Sequence, residues 1–101
     1  MCVFCQLEDH VKLMENEHFF MIRDQRPVSR GHSLIISRRH VENFFELSES
    51  EVISLHQLCQ AAKAMLDDKY CPSGYNLAIN HGRSAGQTVF HFHLHLIPRY
   101  G

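Results

Sequence analysis

The distribution of apolar and polar residues along the chain predicts four strands and one long helix. Residues 17–24 and 33–37 are rich in strand-forming side chains, and the segment between them contains the proline and glycine typical of a loop. Two further strands are predicted at residues 75–80 and 88–97, the last one stopped by Pro98. A loop with two glycines joins these two strands.

The long helix is predicted between the second and third strands. Ser48-Glu49-Ser50-Glu51 matches a capping box, in which the serine and the third residue after it satisfy free backbone N–H groups at a helix start. Apolar residues then recur at three- and four-residue spacing up to about Lys69, which predicts a face that packs on the sheet. That face comprises Val52, Leu55, Leu58, Cys59, Ala62, Met65 and Leu66. The order of elements indicates a single α+β domain with an antiparallel sheet, spanning residues 1–101.

Composition narrows the possible classes of function. The 101 residues are 45% hydrophobic and 21% charged, and no apolar run approaches the roughly 20 residues that a membrane span requires. The first residues lack a basic and apolar leader, so we expect a cytoplasmic protein without a membrane partner. A formal net charge of −1 argues against broad nucleic-acid binding. The nine histidines are an unusual number and call for an explanation.

Three of these histidines alternate along the last predicted strand. His91, His93 and His95 share one face, while Phe90, Phe92, Leu94 and Leu96 share the other. The apolar face should anchor the strand on the core, so the opposite face presents three imidazoles in a row. Such a row suits either a metal site or nucleophilic and acid–base catalysis.

The residues before the histidines favour phosphate chemistry. The loop from Gly82 to Gly86 can direct backbone N–H groups at an anion, and Gln87 and Thr88 add neutral donors. The whole segment from Gly86 to Arg99 closely resembles the signature of the histidine-triad family of nucleotide hydrolases and transferases. The resemblance covers essentially the whole chain, including the opening Cys-x-x-Cys. It implies about five antiparallel strands, one long helix and a short second helix.

The resemblance also implies roles for individual residues. His93 would be the nucleophile, and His95 would contact the phosphate and the leaving atom. His91 would orient the site, and His32 would lie close to the three. Asp24 would bind the ribose hydroxyls. The implied nucleotide contacts are Ile22, Arg23, Asp24, Gln25, Asn80, Gln87 and Thr88.

The reaction implied by the resemblance has two steps and needs no catalytic metal. His93 displaces a leaving group from the α-phosphate of a purine nucleotide conjugate, and water then releases the nucleoside monophosphate. Either a purine nucleoside phosphoramidase or a dinucleoside polyphosphate hydrolase fits this scheme. Because family members continue beyond the segment that ends here at Gly101, the substrate is left open between the two.

Cys2 and Cys5 form a Cys-x-x-Cys pair that fits a redox pair, half of a zinc site or two ordinary cysteines. The resemblance implies a structural zinc held by Cys2, Cys5, His40 and His91, a closed set without a position for substrate.

The residues also fit two other functions, and the resemblance implies an assembly. The chain could be a noncatalytic nucleotide- or zinc-binding module, or a zinc hydrolase that uses His91 and His93 as ligands. The resemblance also implies a homodimer, which would bury additional apolar surface in a small domain.

Overall fold

The computed structural model describes residues 2–101, which form a five-stranded antiparallel sheet with the strand order β1-β2-β3-β5-β4. One α-helix, α1 (Glu49–Tyr70), is present within those residues and follows β3. The α+β prediction is therefore confirmed, and these residues contain short 3-10 helices but no second α-helix. The strands are β1 (Met14–Glu15), β2 (Phe19–Arg23), β3 (Ser33–Ser37), β4 (Gly74–Ala78) and β5 (His93–Arg99). The 3-10 helices are Val3–Gln6, Asp9–Val11, Phe44–Glu46 and Arg83–Ala85.

The helix begins and ends close to where the sequence predicts. The Ser48 side chain accepts the Glu51 N–H, and the Glu51 carboxylate accepts the Ser48 N–H at 2.8 Å, which completes the capping box. Cys71 ends the helix in a left-handed conformation with φ of 51°. Most of the predicted apolar face packs on the core, but Val52 is exposed. The buried residues at this end of the helix are Glu51, Ser54 and Leu55, and Val52 lies beside that stripe.

Two apolar clusters cover the two faces of the sheet. α1 packs on one face, where Leu94 and Leu96 of β5 are buried. On the other face the N-terminal segment, residues 2–12, packs Phe4, Leu7 and Val11 against a smaller cluster. Buried residues of the smaller cluster are Phe20, Ile22, Leu34 and Ile36. Since side chains alternate along a strand, the β5 histidines lie on the side of the N-terminal segment.

The last strand differs from the prediction at both ends. β5 begins at His93 rather than at Thr88, because the N–H of Phe92 bonds to the Val41 carbonyl at 2.6 Å instead of to a strand of the ladder. Phe90, predicted to face the core, is accordingly exposed. Pro98 does not stop β5. At this position β5 pairs only with β4 and no longer with β3, so a residue without an N–H is tolerated.

No helix within residues 2–101 is long and apolar enough to cross a membrane. The four cysteines are free thiols.

Candidate active site

A cleft of about 680 Å³ opens between the N-terminal segment, the end of β2 and the start of β5. Seven of the residues singled out from the sequence line it. His93, His95 and Asp24 line it together, and the Asp24 carboxylate lies 3.8 Å from His95 Nδ1. The remaining predicted residues in the lining are Ile22, Arg23, Gln25 and Thr88.

The orientation of His93 is fixed by a backbone group. Its Nδ1 lies 2.8 Å from the carbonyl oxygen of His91. A carbonyl can only accept, so the proton of a neutral His93 is on Nδ1 and the lone pair is on Nε2. Phe4 packs edge-on against the same imidazole with ring centroids 5.1 Å apart, and the His95 ring lies at 5.2 Å. The ring is held on one side and borders the cleft on the other.

His32 and His95 are in direct contact below the cleft. His32 Nε2 lies 3.0 Å from His95 Nδ1 and 3.3 Å from a carboxylate oxygen of Asp24. Burial lowers the pKa of His95, and the neighbouring His93 and His32 lower it further. Burial also lowers the pKa of His32, although Asp24 opposes the effect. Both imidazoles are therefore held neutral near pH 7.

Gln87 and Asn80 lie in the loop beside the cleft rather than in its lining. The Gln87 amide oxygen accepts the Gly82 N–H at 2.8 Å, and its nitrogen donates to the Glu42 carbonyl at 2.7 Å. The Asn80 amide donates to the Gly86 carbonyl at 3.4 Å. The Gln87 side chain is thus committed to backbone groups that shape the glycine loop. This placement differs from the direct phosphate contact expected for Gln87, whereas Thr88 reaches the cleft.

Four potential metal ligands, called the cysteine cluster below, converge beside the start of β5: Cys2, Cys5, His40 and His91. His91 Nδ1 lies 3.2 Å from Cys2 Sγ, 3.5 Å from Cys5 Sγ and 3.2 Å from His40 Nδ1, and the four ligand atoms all lie within 4.8 Å of one another. A tetrahedral zinc ion with its usual bond lengths separates ligand atoms by roughly 3.3–3.8 Å. His91 Nε2 lies 2.7 Å from the Ser37 carbonyl and must be its donor, so Nδ1 keeps the lone pair that a metal requires. The donor set fits a structural zinc.

His91 therefore faces the cysteine cluster and is not part of the cleft lining. Within residues 2–101, His93 belongs to neither of the two groups of potential metal ligands. A zinc hydrolase that uses His91 and His93 as ligands is not supported by this arrangement.

A HIT-domain family profile matches residues 6–101. The chain belongs to the HIT family. Protein hit of Bacillus subtilis is 37% identical to it over 105 residues, covering 99% of this chain and 72% of that protein. The crystal structure of a HIT family protein from Bacillus anthracis matches with a TM-score of 0.91 at 38% identity, covering 99% of this chain and 74% of that one.

Three further HIT relatives carry informative names. A Zn-bound histidine triad family protein from Mycobacterium smegmatis has a TM-score of 0.88 at 34% identity, covering 99% of this chain and 76% of that one. Adenylylsulfatase HINT3 of Arabidopsis thaliana is 34% identical over 102 residues, covering 97% of this chain and 52% of that protein. Diadenosine triphosphate hydrolase of Plasmodium falciparum has a TM-score of 0.87 at 25% identity, covering 92% of this chain and 63% of that one.

Sequence reasoning missed Phe4 as a residue of this HIT site. Phe4 lies between the two cysteines, and its ring contacts both His91 and His93, at centroid distances of 5.8 and 5.1 Å. An aromatic residue inside a Cys-x-x-Cys pair was the available signal. Its partners could not be read from the sequence because they are more than 80 positions away.

Proposed function

We propose that this HIT protein is a nucleotidyl hydrolase that forms a covalent intermediate on His93. The substrate is a purine nucleotide conjugate, either a nucleoside phosphoramidate or a dinucleoside polyphosphate. The observation that carries the proposal is the hydrogen bond from His93 Nδ1 to the His91 carbonyl at 2.8 Å. That bond leaves Nε2 unprotonated on a residue that lines the cleft.

In the first step, His93 Nε2 attacks the α-phosphorus, and the bond from phosphorus to the leaving nitrogen or oxygen breaks. The leaving atom accepts a hydrogen bond from the neighbouring His95 and takes its proton from solvent. In the second step, water attacks the phosphorus and the phosphorus–nitrogen bond returns its electron pair to His93. The proton of that water returns to solvent, which balances the proton taken in the first step, and the nucleoside monophosphate leaves.

The cleft lining supports a nucleoside beside the histidines. Val3, Leu7, Val11 and Leu34 supply an apolar surface suited to a base. Asp24 supplies a carboxylate that can accept hydrogen bonds from ribose hydroxyls. Arg23, Gln25 and Thr88 add polar groups along the lining. Thr88 would contact the phosphate, and Asn80 and Gln87 would do so from the adjacent loop, to whose backbone their side chains bond.

The names of two relatives support the choice of substrate class. The Arabidopsis thaliana protein is named as an adenylylsulfatase and the Plasmodium falciparum protein as a diadenosine triphosphate hydrolase. Both names describe the cleavage of an adenine nucleotide conjugate, which agrees with adenine as the base we expect here.

We also propose a structural zinc held by Cys2, Cys5, His40 and His91. Zinc with four protein ligands supplies folding free energy rather than an open coordination position. The cluster joins the N-terminal segment to the residue that precedes the catalytic strand. In this way it would keep Phe4 on the His93 ring.

We propose that the protein acts as a homodimer in the cytoplasm. β4 lies at the edge of the sheet, with its Leu77 side chain 58% exposed. An open edge strand can extend the sheet into a second copy, and an exposed apolar side chain on that strand favours burial. Light scattering of the wild type and of Leu77→Lys tests this: the variant should lower the measured mass toward that of a monomer.

The experiment that tests the reaction compares wild type, His93→Ala and His56→Ala on an adenosine phosphoramidate and a dinucleoside polyphosphate. His56 is an exposed histidine of α1 and serves as the matched control. We expect His93→Ala to lose turnover by about a thousandfold or more. Mass spectrometry of a rapidly quenched reaction should find a nucleotide adduct on the wild-type peptide that carries residues 91–95.

Two outcomes contradict the proposal. Full turnover by His93→Ala eliminates His93 as the nucleophile. Nucleotide binding by the wild type without any turnover makes the chain a noncatalytic binding module.

A further inference from the structure

Asp24, His32 and His95 form a second group of potential metal ligands, beside the cleft. His32 Nε2 is 3.0 Å from His95 Nδ1 and 3.3 Å from Asp24 Oδ2, and the carboxylate is 3.8 Å from His95 Nδ1. Two imidazoles and a carboxylate at this spacing can hold a metal ion or share a proton. The position of the proton on His32 decides between the two.

The backbone of the loop between β2 and β3 fixes that position. The N–H of Val28 donates to His32 Nδ1 at 3.1 Å. Nδ1 must be bare to accept, so a neutral His32 carries its proton on Nε2. His32 is only 4% exposed, so water does not replace this hydrogen bond if it is lost.

The proton on His32 in turn fixes the proton on His95. Two N–H groups cannot face each other at 3.0 Å, so His95 Nδ1 must be bare where it meets His32 Nε2. A neutral His95 then carries its proton on Nε2. His95 lines the cleft, and Nε2 is its nitrogen not occupied by His32.

We infer that the backbone N–H of Val28 is a positioning group. It sets the tautomers of His32 and His95 so that His95 presents an Nε2–H donor to the cleft. It also makes the Asp24–His32–His95 cluster a proton-sharing site instead of a metal site. A metal bound by His32 Nε2 requires that nitrogen to be bare and the proton to be on Nδ1. That proton would point at the Val28 N–H. In the cysteine cluster the corresponding bond has the opposite sense, since His91 Nε2 donates to the Ser37 carbonyl and Nδ1 is left bare.

The consequence for catalysis rests on the proposed function. With Nε2–H directed into the cleft, His95 can donate a hydrogen bond to a phosphate oxygen or to the leaving atom without first acquiring a positive charge. The lowered pKa of both imidazoles agrees with neutral forms. The tautomers themselves do not depend on the reaction, so they can be tested even if the chain proves to have no hydrolase activity.

The decisive measurement is the nitrogen NMR spectrum of the full chain labelled with ¹⁵N-histidine, near neutral pH. We expect both His32 and His95 as Nε2–H tautomers, with His32 Nδ1 showing the shift of a hydrogen-bond acceptor. A wild-type spectrum in which either residue is protonated on Nδ1 alone overturns the inference.

Val28 offers a matched pair of variants because its side chain is 61% exposed. Val28→Pro removes the N–H, whereas Val28→Ala keeps it. The Nε2–H preference of His32 should disappear in Val28→Pro and persist in Val28→Ala. On the proposed substrates, kcat/KM of Val28→Pro should fall about tenfold below that of Val28→Ala when the leaving atom needs a hydrogen-bond donor, and less when it does not. An unchanged His32 tautomer in folded Val28→Pro contradicts the role of Val28; if that variant fails to fold, the wild-type spectrum decides.

Metal exclusion is tested with zinc alone. The first equivalent should fill the cysteine cluster, and a second equivalent should leave the ¹⁵N signals of His32 and His95 unchanged. Stoichiometric shifts of both signals to metal-bound positions with the second equivalent overturn the inference.

Discussion

Glu51 is a buried carboxylate whose ionisation contributes to stability. It is 4% exposed, and its two oxygens accept from Arg39 Nε at 3.1 Å and from Nη2 at 2.8 Å. It also accepts the Ser48 N–H in the capping box. These bonds, those from Arg39 above all, lower the pKa of Glu51 from 4.5 to about 2. The change to test is Glu51→Gln, with the exposed Glu49→Gln in the same helical turn as control.

The size of the effect follows from the pKa difference. A fall from 4.5 to about 2 corresponds to roughly 3 kcal/mol of stability at neutral pH. The Arg39 side chain is 55% exposed, so solvent screening reduces the expected contribution to about 1–2 kcal/mol. Because the folded pKa is depressed, this stability is present above about pH 4.5 and is lost as the pH falls toward 2.

Urea denaturation near pH 7 and near pH 3 measures the effect. At neutral pH we expect Glu51→Gln to lower the free energy of unfolding by about 1–2 kcal/mol, and Glu49→Gln to lower it by a few tenths. The difference between wild type and Glu51→Gln should shrink at the lower pH, because the wild-type stability term is being titrated. Histidine protonation acts on both proteins and cancels in this difference. Equal losses for the two variants at neutral pH, or a difference that does not change with pH, refute the reasoning.

Three further predictions test the site and its support. Gly31→Ala should lower the free energy of unfolding, measured in urea, by about 1–3 kcal/mol. Gly31 has φ of 90°, and a Cβ there would lie 3.0 Å from the Tyr70 ring. Gly74→Ala should not lower the free energy of unfolding in this way, because no atom lies within 4 Å of a Cβ at Gly74. A strong chelator should lower Tm of the wild type, and Cys5→Ser should already have the lower Tm and ignore the chelator; equal responses would exclude zinc at the cluster. Phe4→Ala should reduce kcat/KM about tenfold, because the His93 ring loses the aromatic ring that packs on it. Phe45 is 76% exposed, so Phe45→Ala should leave kcat/KM unchanged. Equal kcat/KM values for the two variants would contradict the packing role of Phe4.

The elements predictable from the sequence are those with local causes. The capping box fixes the start of α1 at Ser48 because both of its hydrogen bonds join residues three apart. Alternation along β5 correctly separates Leu94 and Leu96 from the histidines. The start of β5 was not predictable, since the Phe92 N–H bonds to the distant Val41 carbonyl. Periodicity identifies which face a side chain occupies, but strand pairing depends on residues far away in the chain.

The candidate site shows the same division. Of the seven predicted residues that line the cleft, His93, His95 and Thr88 lie where the residue types already suggest a phosphate site, whereas Ile22, Arg23, Asp24 and Gln25 were predicted only from the resemblance to the family. Gln87 differs because an amide beside a glycine loop can serve either a ligand or the loop itself, and the Gly82 N–H and Glu42 carbonyl occupy it here. Such competition between backbone and ligand for one side chain depends on the folded geometry of the loop.

The two neighbouring histidines His91 and His93 show how backbone carbonyls can divide one histidine row between two kinds of chemistry. His91 donates from Nε2 to the Ser37 carbonyl, so its bare Nδ1 faces the cysteines. His93 donates from Nδ1 to the His91 carbonyl, so its bare Nε2 is the nitrogen available to the cleft. Two chemically identical side chains, two positions apart, thus hold opposite tautomers. One suits a metal ligand and the other a nucleophile, and the alternation of residues along the strand determines neither.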